Sequence, residues 1–343
     1  MYDVITIGGA TRDIFFKTDK DWIVKNCDPI RQQLMCFEYA AKVIPKIAFF
    51  SFGGGALNSA VSLKRLGLSI STIASIGNDE IADAISGYLK TEGIDNSLLI
   101  RHPGVSKTGI SLIIVDESSE HTAILYRGTN NLLKIKNWNW VKDTKWIYLT
   151  SLTGKSGLIL NRLKNELTKN KIKLAWNPGS EQLKKGYEKL KEIIKKTNIL
   201  ILNKDEAKEL IISKDKKFIL NDSKEIAVRL KKMGPKIAIV TDAANGSFAF
   251  DGKEMYHSSI LPARPVDTTG AGDAFGSSFL AGMILHNDIR KALKMASVNS
   301  ASVVSHYGSQ NGLLKIKRLK FLQNKIKVLK INLNKKVKYV KAR

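Results

Sequence analysis

The chain has 343 residues, 43% hydrophobic and 25% charged, which suffices for one large α/β core. No apolar run approaches the roughly 18 residues that cross a bilayer, and the N-terminus carries Asp3 where a secretory leader would be basic, so the sequence reads as cytoplasmic. Of the net charge of +25, 12 charges lie in Leu313 to Arg343, which has no acid; with only Phe321 and Tyr339 to stack on bases, this end reads as a solvated basic terminus rather than a nucleic-acid-binding one.

In chain order, Tyr2 to Ile7 predicts a buried strand that turns at Gly8-Gly9. Phe16 to Phe50 is irregular and holds both cysteines, Cys27 and Cys36, which have no metal-ligand spacing. After Gly53-Gly54-Gly55, the spacing of Ala56, Ala60, Leu63 and Leu66 predicts a helix stopped by Gly67. A strand at Ser69 to Ser75 and a helix from about Glu80 to Thr91 follow. Gly109 to Val115 and Thr122 to Tyr126 have β composition, and the polar stretch between them predicts a hairpin.

Beyond Trp146 the rhythm becomes regular. Apolar strands at Trp146–Leu149, Ile172–Trp176, Ile199–Leu202 and Ile237–Thr241 alternate with helical stretches, which predicts βαβ units and a parallel sheet covered on both faces. The irregular early pieces predict a small β-sheet lid at the carboxyl edge of that sheet. Near the end, Leu319, Leu322, Ile326 and Leu329 can share one face of a last helix.

The chemistry concentrates in DTTGAGDAFGSSFLAG, Asp267 to Gly282. Gly270-Ala271-Gly272 before a helix frees backbone N–H groups to converge on an anion, and the helix start adds partial positive charge there. Asp273 in the first turn makes sense as a base taking a proton from an attacking hydroxyl while the glycine loop holds a phosphoryl group. On spacing alone, a helix-capping Asp273 fits equally well.

Together these stretches resemble the ribokinase-like (PfkB) family of carbohydrate kinases, over about residues 1 to 312. Asp267 to Asp273 is similar to the family's D-T-x-G-A-G-D core. Gly53 to Gly67, Ile76 to Asp95, YRGTN at Tyr126 to Asn130, and Asn203 to Glu206 match its other landmarks in order. The resemblance implies a three-layer α/β/α sandwich with a mostly parallel sheet, a kinase domain at 1–312 and a lid from about 14–50 and 107–127. The segment 313–343 would be partly the last helix and partly an extension.

The resemblance also implies roles. Asp273 would be the base, with Gly270, Ala271 and Gly272 forming the anion hole. Asp13, Gly54 and Asn58 would hold substrate hydroxyls, with Arg127 and Asn130 facing the site from the lid. Asn203, Thr241, Gly246, Asn299 and Gly308 would border ATP, and His306 to Gln310 the adenine. Glu206 would organise Mg2+ through water, and Asp267 and Thr269 would hold a monovalent cation such as K+. Ordinary structural roles remain open for several: a loop acid for Asp13, a helix cap for Asn58, a capping box for Asn203 with Glu206. Ala243 stands where the family has a glycine, tolerable if its φ stays negative.

The implied reaction is ATP-dependent phosphorylation of a hydroxyl, a primary CH2OH for preference, on a sugar or a nucleoside, with a homodimer formed through the lid. The rival readings are a catalytically silent binding protein and a nucleic-acid-associated protein using the basic end.

Overall fold

Short apolar strands alternating with amphipathic helices build the body, because strands buried on both faces must be covered by helices on both sides. The computed structural model describes residues 1–18, 22–25, 33–104, 106–116, 121–216 and 221–332. Cys27, the hairpin tip at 117–120 and the end of the basic segment, 333–343, lie outside them.

The chain opens with β1 (Tyr2–Ile7), β2 (Thr11–Lys17), a ribbon of β3 (Trp22–Lys25) and β4 (Gln33–Cys36), β5 (Ile47–Gly53) and α1 (Gly55–Arg65). It continues through β6 (Ile70–Ile73), β7 (Ser75–Ile76), α2 (Glu80–Thr91), β8 (Ile100–Arg101), β9 (Gly109–Val115) and β10 (His121–Tyr126). The regular half follows with β11 (Thr144–Leu149), α3 (Ile159–Lys169), β12 (Lys173–Trp176), α4 (Ser180–Leu183), α5 (Tyr187–Lys196), β13 (Ile199–Asn203) and α6 (Lys204–Lys214). The last elements are α7 (Ser223–Lys232), β14 (Ile237–Thr241), β15 (Ser247–Phe250), β16 (Met255–Ser258), α8 (Ala271–His286), α9 (Ile289–Val304), α10 (Ile316–Leu322) and β17 (Val328–Ile331).

The main sheet runs β17-β16-β15-β14-β13-β12-β11-β1-β6. From β6 to β14 the pairing is parallel, and β15, β16 and β17 add antiparallel strands at one edge. Strand alternation splits the core in two. Ile5, Ile147, Leu174, Leu200 and Val240 pack on one side with α3, α5, α6 and α7. Val4, Tyr148, Ala175, Ile201 and Ile239 pack on the other with α1, α2, α8 and α9. This is the three-layer sandwich expected from the sequence.

A second sheet, β10-β9-β2-β5, stands apart from the main one. Its strands reach to Thr11 and Gly53, so Asp13 lies on a lid strand rather than in a loop. At the other end the predicted helical face through Leu329 does not form. Helix α10 stops at Leu322, and Val328–Ile331 pairs antiparallel with β16, which leaves Leu329 exposed. A Val-Leu-Lys-Ile stretch fits a pleated edge better than a helix, and it pairs the otherwise open edge of β16.

Candidate active site

The loop before α8 is held by its own acid. Asp267 is buried; its Oδ1 accepts the Thr269 N–H at 2.9 Å and its Oδ2 the Gly308 N–H at 2.9 Å. The carboxylate thus staples the loop to the turn that follows α9. Gly270 must be glycine on two counts: its φ is +80°, and a Cβ there would lie 2.5 Å from that of Ser309. Helix α8 starts with no side-chain cap. The Ala271 N–H reaches back to the Thr268 carbonyl at 3.3 Å, those of Gly272 and Asp273 have no intrahelical partner, and the space beside Gly272 is open.

Asp273, in that first turn, accepts a hydrogen bond on Oδ2 from Asn58 Nδ2 at 2.8 Å. Burial of its carboxyl raises its pKa, the Asn58 donor opposes this, and the negative charge of Asp13 adds to the rise. Asn58 is buried in α1; its Oδ1 accepts from Ser309 Oγ at 2.9 Å and from Gln310 Nε2 at 2.8 Å.

Asp13 enters from the lid. Thr11 Oγ1 donates to its Oδ1 at 2.8 Å, and register pairs it with Ser51 on β5 and Ser111 on β9. A Cβ at Gly53 would lie 1.8 Å from Asp13 Oδ2, so the carboxylate occupies the space a side chain would fill. Burial raises the Asp13 pKa, hydrogen bonds from Thr11 and Ser111 lower it, and Asp267 raises it further. Ser51 Oγ is buried with no hydrogen-bond partner among the described residues. Gly54, at φ +91°, packs against the Gly9 carbonyl, where a Cβ would lie 2.5 Å away.

On the other side of the α8 start lies a cavity of about 450 Å3. Thr241, Ala243 and Gly246 border it from the β14–β15 turn, and Ala271 and Gly272 from α8. Asn203 pairs in register with Thr241, at the same carboxyl edge of the sheet. It caps α6 in a full capping box: its Oδ1 accepts the Glu206 N–H and Glu206 Oε2 accepts the Asn203 N–H, both at 2.9 Å. Burial raises the Glu206 pKa, against the lowering by the Asn203 N–H.

Several residues stand elsewhere than the sequence suggested. Asn299 is fully buried; its Nδ2 donates to Ser278 Oγ at 2.7 Å and its Oδ1 accepts the Leu314 N–H, so it ties helices together and does not face the cavity. Instead Ser297, Ser300, Ala301 and Val304 line the cavity, one face of α9 at helical spacing, a signal present in the sequence. Gly308 sits under lid residues Phe49 and Ser51, and Ser309 and Gln310 bind Asn58, so this turn meets the lid and α1 and does not line the cavity. Asn130 spends its amide on the Ala10 backbone, donating to Ala10 O at 2.8 Å and accepting Ala10 N–H at 2.9 Å, while Arg127 stays exposed. Ala243 adopts φ +42°, the strained case rather than the tolerated one.

Comparison with known proteins places the chain in a family. The chain is 27% identical over 255 residues to an uncharacterized sugar kinase of Archaeoglobus fulgidus, covering 74% of this chain and 98% of that one. It is 27% identical over 288 residues to a ribokinase of Lactococcus lactis, covering 82% and 87%. A Methanocaldococcus jannaschii nucleoside kinase has the same fold, with TM-score 0.75 at 23% identity over 94% of this chain and 98% of that one. An Arabidopsis thaliana ribokinase complexed with ribose and ATP superposes with TM-score 0.77 at 18% identity, covering 94% and 98%. A family model for pfkB family carbohydrate kinases matches residues 28–316, and the chain belongs to that family.

Proposed function

We propose that this chain transfers the γ-phosphoryl group of ATP to a hydroxyl of a sugar or sugar-like acceptor, with Asp273 as general base. The observation that carries the reading is the position of the Asp273 carboxyl. It lies in the uncapped first turn of α8, between a nucleotide-sized cavity and the buried acid of the lid.

In the transfer, the acceptor oxygen forms a bond to the γ-phosphorus while the bond from phosphorus to the bridging oxygen breaks. That electron pair leaves on ADP, and the hydroxyl proton passes to Asp273. A carboxyl whose pKa is raised by burial takes the proton more readily than a solvated one, while the Asn58 donor favours its ionised form. The N–H groups of Ala271, Gly272 and Asp273 hold the phosphoryl oxygens. The apolar walls around Ala243 and Ala301 suit the base and ribose of the nucleotide. Asp13 orients acceptor hydroxyls, and the unpartnered Ser51 Oγ offers a further contact.

Two cations fit the residues present. Magnesium would neutralise charge on the phosphates; Asn203 and Glu206 would hold its waters, since the cap uses Glu206 Oε2 and leaves Oε1. A monovalent ion at Asp267 and Thr269 would give the buried, unpartnered Thr269 Oγ1 a partner.

A nucleoside acceptor is a second reading, favoured by one observation. Phe49, backed by the buried Phe15 at 4.5 Å between centroids, is partly exposed, and Tyr307 tilts against it, two rings that could meet a nucleobase on the acceptor side. A screen of ADP release across sugars and nucleosides tests both. ADP release should require an acceptor; ATP hydrolysis equally fast without one would overturn the reading.

The lid suggests a homodimer. Ile124, Leu112, Ile14 and Phe50 lie in register across all its strands and form an apolar row on the outer face, with Ile124 and Phe50 each 59% exposed. A second copy packed face to face would cover that row.

A further inference from the structure

Asp273 is tied to α2 through a run of hydrogen bonds. From Asp273 a bond leads to Asn58, whose carbonyl oxygen is taken by Ser309 and Gln310. Gln310 Oε1 in turn accepts the Tyr88 hydroxyl at 2.7 Å. Tyr88 stands on α2, where Glu92 lies 3.3 Å from the same hydroxyl and pairs with Arg65 at 2.5 Å. Arg65 returns to the start of the chain of bonds, donating to the Gln310 carbonyl at 3.0 Å and to that of Leu313 at 3.2 Å.

The distances give each link its polarity. Tyr88 is a phenol pushed up to about 12 by burial and by the charge of Glu92, so it keeps its one proton, and Gln310 Oε1 at 2.7 Å is the nearer acceptor, against 3.3 Å for the Glu92 oxygen that Arg65 already engages. Gln310 must then turn its oxygen to Tyr88 and its NH2 to Asn58. Asn58, receiving donors on its oxygen, must turn its own NH2 to Asp273. An Asn58 rotated by half a turn would set carbonyl oxygen against carboxylate oxygen, an arrangement that only a protonated Asp273 tolerates. The middle of the run is dry: Asn58, Ser309 and Gln310 are 5%, 1% and 4% exposed, so water does not substitute for a bond lost there.

We propose that Gln310, locked by Tyr88, is a positioning residue for this kinase: it fixes the rotation of the Asn58 amide and so holds Asp273 as an oriented, ionised base. The inference rests on the reading of Asp273 as the base. The other groups facing that carboxyl are Asp13 from β2 and the Tyr148 hydroxyl from β11 beneath Gly276; neither donates a hydrogen bond to it among the described residues, so the Asn58 donor is what opposes the effects of burial and of Asp13.

The test uses the full chain with Gln310→Met, which keeps length and removes both hydrogen bonds, and Tyr88→Phe, which removes only the hydroxyl. Each is followed as kcat and KM against pH with the best acceptor, beside Asp273→Asn and a melting curve. For Gln310→Met, kcat at neutral pH should fall about ten- to a hundred-fold, as partners one bond removed from a reacting group do, with KM for ATP little changed. The acid limb of the kcat profile should move upward, and Tyr88→Phe should shift it in the same direction by less. A loss of kcat equal at every pH, or an unchanged profile while Asp273→Asn is inactive, overturns the positioning role alone. A fully active Asp273→Asn overturns the base assignment, and the inference with it.

Discussion

Asp273 carries two consequences in one carboxyl. Asp273→Asn retains an acceptor for Asn58 Nδ2, so the local packing stays, while kcat should fall about 10²- to 10⁴-fold in a coupled ADP-release assay. The same variant should be more stable than the parent near pH 8. A folded-state pKa raised by burial means the native state binds the proton more tightly than the unfolded chain. Stability from that group is therefore full below the ordinary carboxylate range and is lost as pH rises through the raised value. Asparagine escapes this loss, so its advantage in melting temperature should shrink as pH falls toward 4 or thereabouts, where both side chains are neutral. An advantage that persists unchanged into acid would show that the carboxyl is not under strain.

Among the elements, the turn between β14 and β15 is the one that departs from its family's pattern. Ala243 holds φ +42° on the cavity wall, a conformation costing an L-residue about 1–2 kcal/mol. Ala243→Gly should release this, less the roughly 0.4–1 kcal/mol of added freedom in the unfolded chain, for a net gain of about 1 kcal/mol or less in denaturant unfolding. It should also raise KM for ATP by about fourfold, through the loss of one methyl contact of about 0.8 kcal/mol. This turn also marks a limit of sequence reading, since the alanine was visible but its φ of +42° was not.

Elsewhere the local rules carried far. Strand runs such as Ile237–Thr241 and the helix Glu80–Thr91 stand where the sequence pattern put them, because an apolar run covered on both faces or one apolar stripe decides them. Val328–Ile331 was read as helix because its pairing partner, β16, lies about 70 residues away, beyond any local pattern. The site divided along the same line. The loop that opens α8 is contiguous and was legible, whereas Gln310 reaches Asn58 across 252 residues and Asn299 turned out to face inward.

For the whole molecule, the outer face of the lid sets the expected assembly. Light scattering on the purified protein should give the mass of two chains, and Ile124→Lys should give one, because a buried unpaired ammonium costs more than the interface returns. A parent chain that elutes as a monomer at micromolar concentration would dismiss the lid pairing without touching the chemistry. The kinase reading rests on the cleft between α8 and the lid within one chain, and the pairing concerns only the opposite surface.

The void at Gly53 ties two distant positions into one unit of inheritance. Whatever occupies residue 13 must fit the space that residue 53 leaves empty, since a methyl there would collide with the acid at 1.8 Å. A side chain gained at 53 alone is barred while Asp13 stays, whereas a joint exchange, a larger residue at 53 with a shorter one at 13, is sterically open. On the role proposed for Asp13, a lineage that gains a side chain at 53 is therefore expected to have shortened residue 13 first, and with it to have changed the acceptor it takes.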